Sequence, residues 1–119
     1  MFAIAEKETF NAEAVQNALN EAGMAARVAA KAEHLKLGGD RGACGFAWVN
    51  VYGVRSNSRL GKTLQSFGFR KSYTGSLQLW NPCGSGTQSI SIKEAGAEAY
   101  AKVLTEKLGI KAYAGSRLD

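Results

Sequence analysis

Residues 44–54 read CGFAWVNVYGV, and their alternation decides the fold. Ala47, Val49 and Val51 fall on one side of an extended chain, while Phe46, Trp48, Asn50 and Tyr52 fall on the other. The first side suits a core; the second is aromatic and partly polar. Next come Ser56, Asn57 and Ser58, three candidate N-caps for a short helix with Leu60, Leu64 and Phe67 on its apolar side and Gly68 at its end. A second strand is expected at 76–80, before the irregular stretch NPCGSGT at 81–87.

Working outward, residues 11–21 carry a helical stripe of Ala14, Val15, Ala18, Leu19 and Ala22, and Gly23 is placed to end it. Residues 24–37 fit a helix through Met24, Val28, Ala32 and Leu35, although Val28, Ala30 and Ala32 also alternate as in a strand. Alanine at five of the nine positions 25–33 favours the helix. Gly38-Gly39-Asp40 reads as a turn. At the other end, Ser91 and Glu94 have capping-box spacing, and a helix over 92–108 would bury Ile92, Ala95, Ala99, Tyr100, Val103 and Leu108, with Gly109 as its C-terminal cap. A short strand at 110–114 and a polar tail at 115–119 complete the chain. The expectation is an α+β fold: a single small domain over 1–119, its short β-sheet packed against two or three helices.

The chain has 119 residues, 45% of them hydrophobic and 21% charged, enough for one core that buries roughly two thirds of the unfolded surface. No apolar run approaches the roughly 20 residues of a membrane helix, and the stretch after Met1 lacks the basic start and apolar centre of a signal peptide. A cytoplasmic protein with no membrane partner is expected. Cys44 and Cys83 read as free thiols in a reducing compartment, with a single bridge between them left open.

Charge is unevenly distributed. Between Arg41 and Lys93 there is no Asp or Glu, but there are seven Lys/Arg and seven of the eleven aromatics; the remainder carries eight basic and ten acidic residues. A surface with that field attracts anions, phosphate above all. Gly61-Lys62-Thr63 invites a phosphate-loop reading, but the motif needs a glycine five residues before Gly61, where Ser56 stands, and a carboxylate for magnesium. What survives is an anion site without hydrolysis: Arg55, Arg59 and Lys62 around a helix start, with Ser58 and its amides as neutral donors. The same residues also fit a plainly capped, solvated helix.

Arg70 and Lys71 extend the positive surface, and Tyr73 and Trp80 are the candidates to stack on bases, with Trp48 and Tyr52 as possible additions. Since aromatics in a small domain are more often core, roughly four of the seven central ones are expected to be buried. Gly75 and the Gly- and Ser-containing loop from Gly84 to Ser89 could bring backbone close to a ligand, or be only a loop. Catalytic signatures are scarce. His34 is the one histidine, no Cys, His, Asp or Glu cluster has metal-ligand spacing, and no cofactor motif is present. The function expected is non-catalytic binding of a nucleotide or nucleic acid. The alternatives are an interaction module docking on an acidic partner protein, with homo-oligomerisation able to build a shared cleft, or a small enzyme of unfamiliar type.

The stretch GFAWVNVYGVRSNSRLGKTLQSFGFRKSYTGSLQLWNP, residues 45–82, resembles small uncharacterised bacteriophage proteins. The resemblance implies action in a host cytoplasm on nucleic acid, on a nucleotide, or on a host defence protein. It supplies no catalytic residues.

Overall fold

In a computed structural model, residues 11–39, 42–84 and 89–118 are described. The order is α1 (Ala12–Leu37), β1 (Gly45–Tyr52), α2 (Arg59–Ser66), β2 (Arg70–Lys71), β3 (Leu77–Trp80), α3 (Ile90–Leu108) and β4 (Lys111–Leu118). The four strands form one antiparallel sheet in the order β2-β3-β1-β4. This is the expected α+β fold, with β2 added to the strands read from sequence. No helix among the described residues is long and apolar enough to cross a membrane.

Strand β1 organises the molecule because its two faces differ. Ala47, Val49 and Val51 are at most 1% exposed and lie under α3, which packs on β1 and β4. Helix α1 lies along α3 and reaches α2, which touches β3. Leu19, Leu64, Phe69, Leu77, Ile92 and Leu104 fill the space between, each contributing about 1.5–3 kcal/mol on burial. All three helices therefore sit on one side of the sheet.

Several local expectations are corrected. Gly23 does not end the first helix: α1 runs on to Leu37, where Gly38 takes the left-handed cap at φ 76°. Helix α1 buries Ala22, Ala26 and Ala30, whereas Met24, Val28 and Leu35 are exposed. Small side chains let it approach α3 closely; a Cβ on Gly96 would stand 3.4 Å from the Ala26 carbonyl oxygen and 2.7 Å from Cys83 Cβ. The Ser91–Glu94 capping box does not form. Helix α3 starts earlier, on Ser89, whose hydroxyl accepts from the Ile92 amide, because residues 43–44 hold that start through the Ile90 N–H to Ala43 C=O bond and the Cys44–Ser89 bridge. Its buried row is Ile92, Gly96, Ala97, Tyr100, Ala101, Leu104 and Leu108 rather than the predicted one with Ala95, Ala99 and Val103. Residues 115–118 are not a tail. They are the second half of β4, paired with β1 from Gly45↔Leu118 to Tyr52↔Lys111.

Candidate nucleic-acid interface

With the helices on one side, the other face of the sheet is open. In an antiparallel pair, directly opposed residues share a face, so register alone assigns its members. Phe46, Trp48, Asn50 and Tyr52 of β1 stand opposite Arg117, Gly115, Tyr113 and Lys111 of β4. On the other flank Trp48 faces Trp80 and Asn50 faces Gln78 of β3, and Gln78 in turn faces Arg70 of β2. Five aromatics thus share one face. The expectation that about four of the seven central aromatics are core is overturned: Phe69 alone among them is buried.

The rings form two groups. Trp48 and Trp80 are stacked, with centroids 4.7 Å apart and planes at 27°, and Phe46 meets Trp80 edge-on at 6.1 Å. Trp48 has a structural duty as well, since its indole covers Gly115, where a Cβ would come within 2.5 Å of Nε1. Trp80 keeps 48% of its surface exposed. Tyr52 and Tyr113 pair 6.0 Å apart at the far end of the strands, both more than 40% exposed. From Phe46 to Tyr52 the strand rises about 20 Å. Between the groups runs a polar relay: Trp80 Nε1 donates to Gln78 Oε1 at 3.2 Å, and Gln78 Nε2 donates to Asn50 Oδ1 at 2.8 Å. Those bonds fix the two amides and leave their remaining hydrogens for solvent or a ligand.

Beside this face, the turn from β2 to β3 closes through Ser72 N–H to Ser76 C=O, 2.9 Å, and Gly75 N–H to Ser72 C=O, 3.2 Å. Gly75 has φ 88°, which lets the turn hold Tyr73 entirely in solvent. A shallow depression lies there, lined by Lys71, Ser72, Tyr73, Thr74 and Gln78. Arg70, Lys71, Tyr73 and Trp80 thus all belong to the β2–β3 side of the sheet, with Arg70 and Trp80 on the open face, Tyr73 on the turn and Lys71 opposite the buried Leu77.

Arg55, Ser58, Arg59 and Lys62 lie elsewhere, on α2 and the loop before it, on the helical side. Ser58 is the N-cap. Its hydroxyl accepts from the Gly61 amide at 2.9 Å and donates to the Arg55 carbonyl at 2.7 Å, so it is occupied within the fold. Gly61 serves packing rather than a phosphate: a Cβ there would sit 2.0 Å from the Arg55 carbonyl oxygen. Thr63 Oγ1 bonds the Arg59 carbonyl one turn back. Arg55, Arg59 and Lys62 are exposed at this second basic area. Arg41 and residues 85–88 of the glycine- and serine-containing loop lie outside the described residues.

The described acids keep to two helices without making that side acidic, since Arg27, Lys31, Lys36, Lys93, Lys102 and Lys107 match them in number there. Every described carboxylate, Glu13, Glu21, Glu33, Glu94, Glu98 and Glu106, lies on α1 or α3, and the strands hold none. The Lys107–Glu21 pair, 3.7 Å apart and half exposed, links these two helices and adds little stability. Four residues of the open face escaped sequence reading: Lys111, Tyr113, Gly115 and Arg117. Their period of two, against Ala112, Ala114, Ser116 and Leu118, is the signal that could have placed them. Cys44 and Cys83 are free thiols, and no group of three His, Cys, Asp or Glu among the described residues could hold a metal ion.

The chain matches no family model, and no curated protein or solved structure matches it.

Proposed function

We propose that this protein binds single-stranded nucleic acid, without catalysis, on the open face of its sheet. One observation carries the reading: an acid-free sheet face presents five aromatic rings, with Arg70, Lys111 and Arg117 along its borders. Aromatic faces accept bases of any identity by stacking, while guanidinium and ammonium groups follow the phosphates. Trp80, Tyr113 and Tyr73 offer the most accessible ring surface for bases. Arg70, Lys111 and Arg117 take the backbone, and Arg55 and Lys62 on the helical side add long-range attraction.

The roughly 20 Å length of the platform favours a strand over a free nucleotide. A mononucleotide would meet one ring and one or two cations here, on a surface too open to enclose it. Action on nucleic acid in a host cell also fits the resemblance of residues 45–82 to bacteriophage proteins.

The test is fluorescence anisotropy with labelled oligothymidylate, oligoadenylate and a mononucleotide at low and moderate salt. Oligonucleotide binding is expected, and Trp80→Ala should weaken it by about 1–3 kcal/mol, roughly 5- to 150-fold, with the unfolding midpoint kept. Equal affinity of wild type and Trp80→Ala would reject the stacking platform. Absence of binding to any oligonucleotide, with capture of an acidic protein instead, would assign the same basic face to a protein partner.

A further inference from the structure

The Phe46 end of the open face differs from the rest. Lys93 belongs to α3, on the helical side, yet its ammonium rounds the start of β1 and lies 5.3 Å from the centre of the Phe46 ring. It donates to the Gly45 carbonyl at 2.9 Å. Strand β3 ends at Trp80, and Asn81, with φ 50°, turns the chain away after its amide has bonded the Ala47 carbonyl. Lys93 Nζ therefore serves the next β1 carbonyl where a strand amide would otherwise do so. Arg117, directly opposite Phe46 on β4, brings its guanidinium to 5.5 Å from the same ring centre.

Two cations are thus held against one ring. Lys93 is 9% exposed, and a buried ammonium ordinarily has a carboxylate beside it. Among the described residues, none faces this one. Glu94, its neighbour in sequence, is engaged instead by the Ser116 hydroxyl, and the other described carboxylates lie on α1 and farther along α3. One carbonyl and one ring leave two ammonium hydrogens and the whole guanidinium fork without a negative partner among the described residues. Two cations placed against one ring, with no counter-charge among the described residues, make an arrangement that an external anion completes.

We infer that Lys93 and Arg117 form a phosphate site at the Phe46 end of the sheet face, with Phe46 acting as the spacer that holds both cations rather than as a stacking ring. The inference rests on the platform reading for its ligand, a phosphate of the bound strand, but not for its geometry. It gives the platform a direction: the strand is anchored by phosphate at Phe46 and stacks from Trp80 toward Tyr52 and Tyr113. The phosphate is either an internal diester or a terminal monoester.

Two measurements test the site independently of each other. First, inorganic phosphate is titrated into labelled protein and followed by NMR. Shifts that saturate and centre on Phe46, Lys93 and Arg117 are expected; shifts spread evenly over all Lys and Arg would overturn the site, whatever the protein does with nucleic acid. Second, oligothymidylates bearing a 5′-phosphate, a 3′-phosphate or neither are bound to wild type and to Arg117→Gln across a salt series. Arg117→Gln should weaken binding alike for all sequences and lower the salt slope by about one. Lys93→Met, checked for folding by its unfolding midpoint, should do the same. A preference for one phosphorylated end that Arg117→Gln removes would identify a terminal monoester, and equal loss with all three strands a diester. Strong oligonucleotide binding with an unchanged slope in Arg117→Gln would remove this site and leave the platform. Phosphate shifts at the site in a protein that binds no oligonucleotide would keep the site and remove the platform.

Discussion

Tyr100 shows how one residue ties the core to solution conditions. It is 4% exposed, lies against Phe69 with ring centroids 6.1 Å apart, and burial pushes its phenol up to about 12. The neutral phenol suits the core and the phenolate does not. In the unfolded chain it ionises near its ordinary value of 10, two pH units earlier. The folded protein therefore keeps its full stability below pH 10, loses it progressively from pH 10 to 12, and by the end has lost on the order of 2–3 kcal/mol through this group alone. Tyr100→Phe has no proton to lose. Denaturant unfolding from pH 8 to 11.5 should show wild-type stability falling more steeply than that of Tyr100→Phe, and parallel curves would mean that Tyr100 does not titrate from a buried state. Single residues also explain what the sequence leaves open. Spacing sets aside a phosphate loop at Gly61-Lys62-Thr63 without saying why glycine stands there, and the Arg55 carbonyl, lying where its Cβ would be, supplies the reason.

At the scale of elements, α1 illustrates what hydrophobicity alone gets wrong. Val15 and Leu19 are buried as expected, but farther along Met24, Val28 and Leu35 form a helical stripe that is exposed, while the weaker row Ala22, Ala26 and Ala30 is buried. Close approach decides this. Beside Gly96 and Ala97 of α3 only small side chains fit, and many short-range contacts there outweigh a few large residues. Gly96→Ala should therefore cost about 1–3 kcal/mol, because its Cβ would meet Cys83 Cβ at 2.7 Å, whereas Leu35→Gln should stay within about 0.5 kcal/mol of wild type. Urea unfolding of both variants decides it, and a large loss with Leu35→Gln would mean that the two faces of α1 are interchanged. The helices were legible because their periodicity and caps are local: Ser58, Gly38 and Gly109 all cap as their types suggest. The first half of β4 was legible too, but its second half was not, because Gly115, Ser116 and Arg117 have little strand preference of their own and are extended by the ladder that eight residues of β1 offer.

For the whole molecule, the separation of charge announced by the acid-free segment survives folding, but its address changes. Half of the expected site, Arg70, Lys71, Tyr73 and Trp80, gathers along the β2–β3 side, and the other half, Arg55, Ser58, Arg59 and Lys62, goes with α2 to the helical side. The missing members come from β4, some sixty residues beyond β1; their period of two groups them, and the register with β1 shows which face they join. The resulting particle, 47 × 27 × 23 Å, keeps its described acids on two helices, matched there by as many cations, and presents cations with open rings and no acid on its sheet. That geometry separates single strands from duplexes. In a duplex the base faces are already stacked on each other, so Trp80, Tyr73 and Tyr113 gain nothing, and only the phosphates meet Arg70, Lys111 and Arg117. Phosphate contact alone decays steeply with salt, whereas stacking does not depend on counterion release. Single and double strands of equal length should bind with similar affinity at about 50 mM salt and diverge at about 200 mM, where the duplex should lose more than the single strand. Anisotropy titrations at the two salt concentrations measure this. If the duplex holds as well as the single strand at the higher concentration, cations alone make the contact, and the open rings serve only to hold the sheet together.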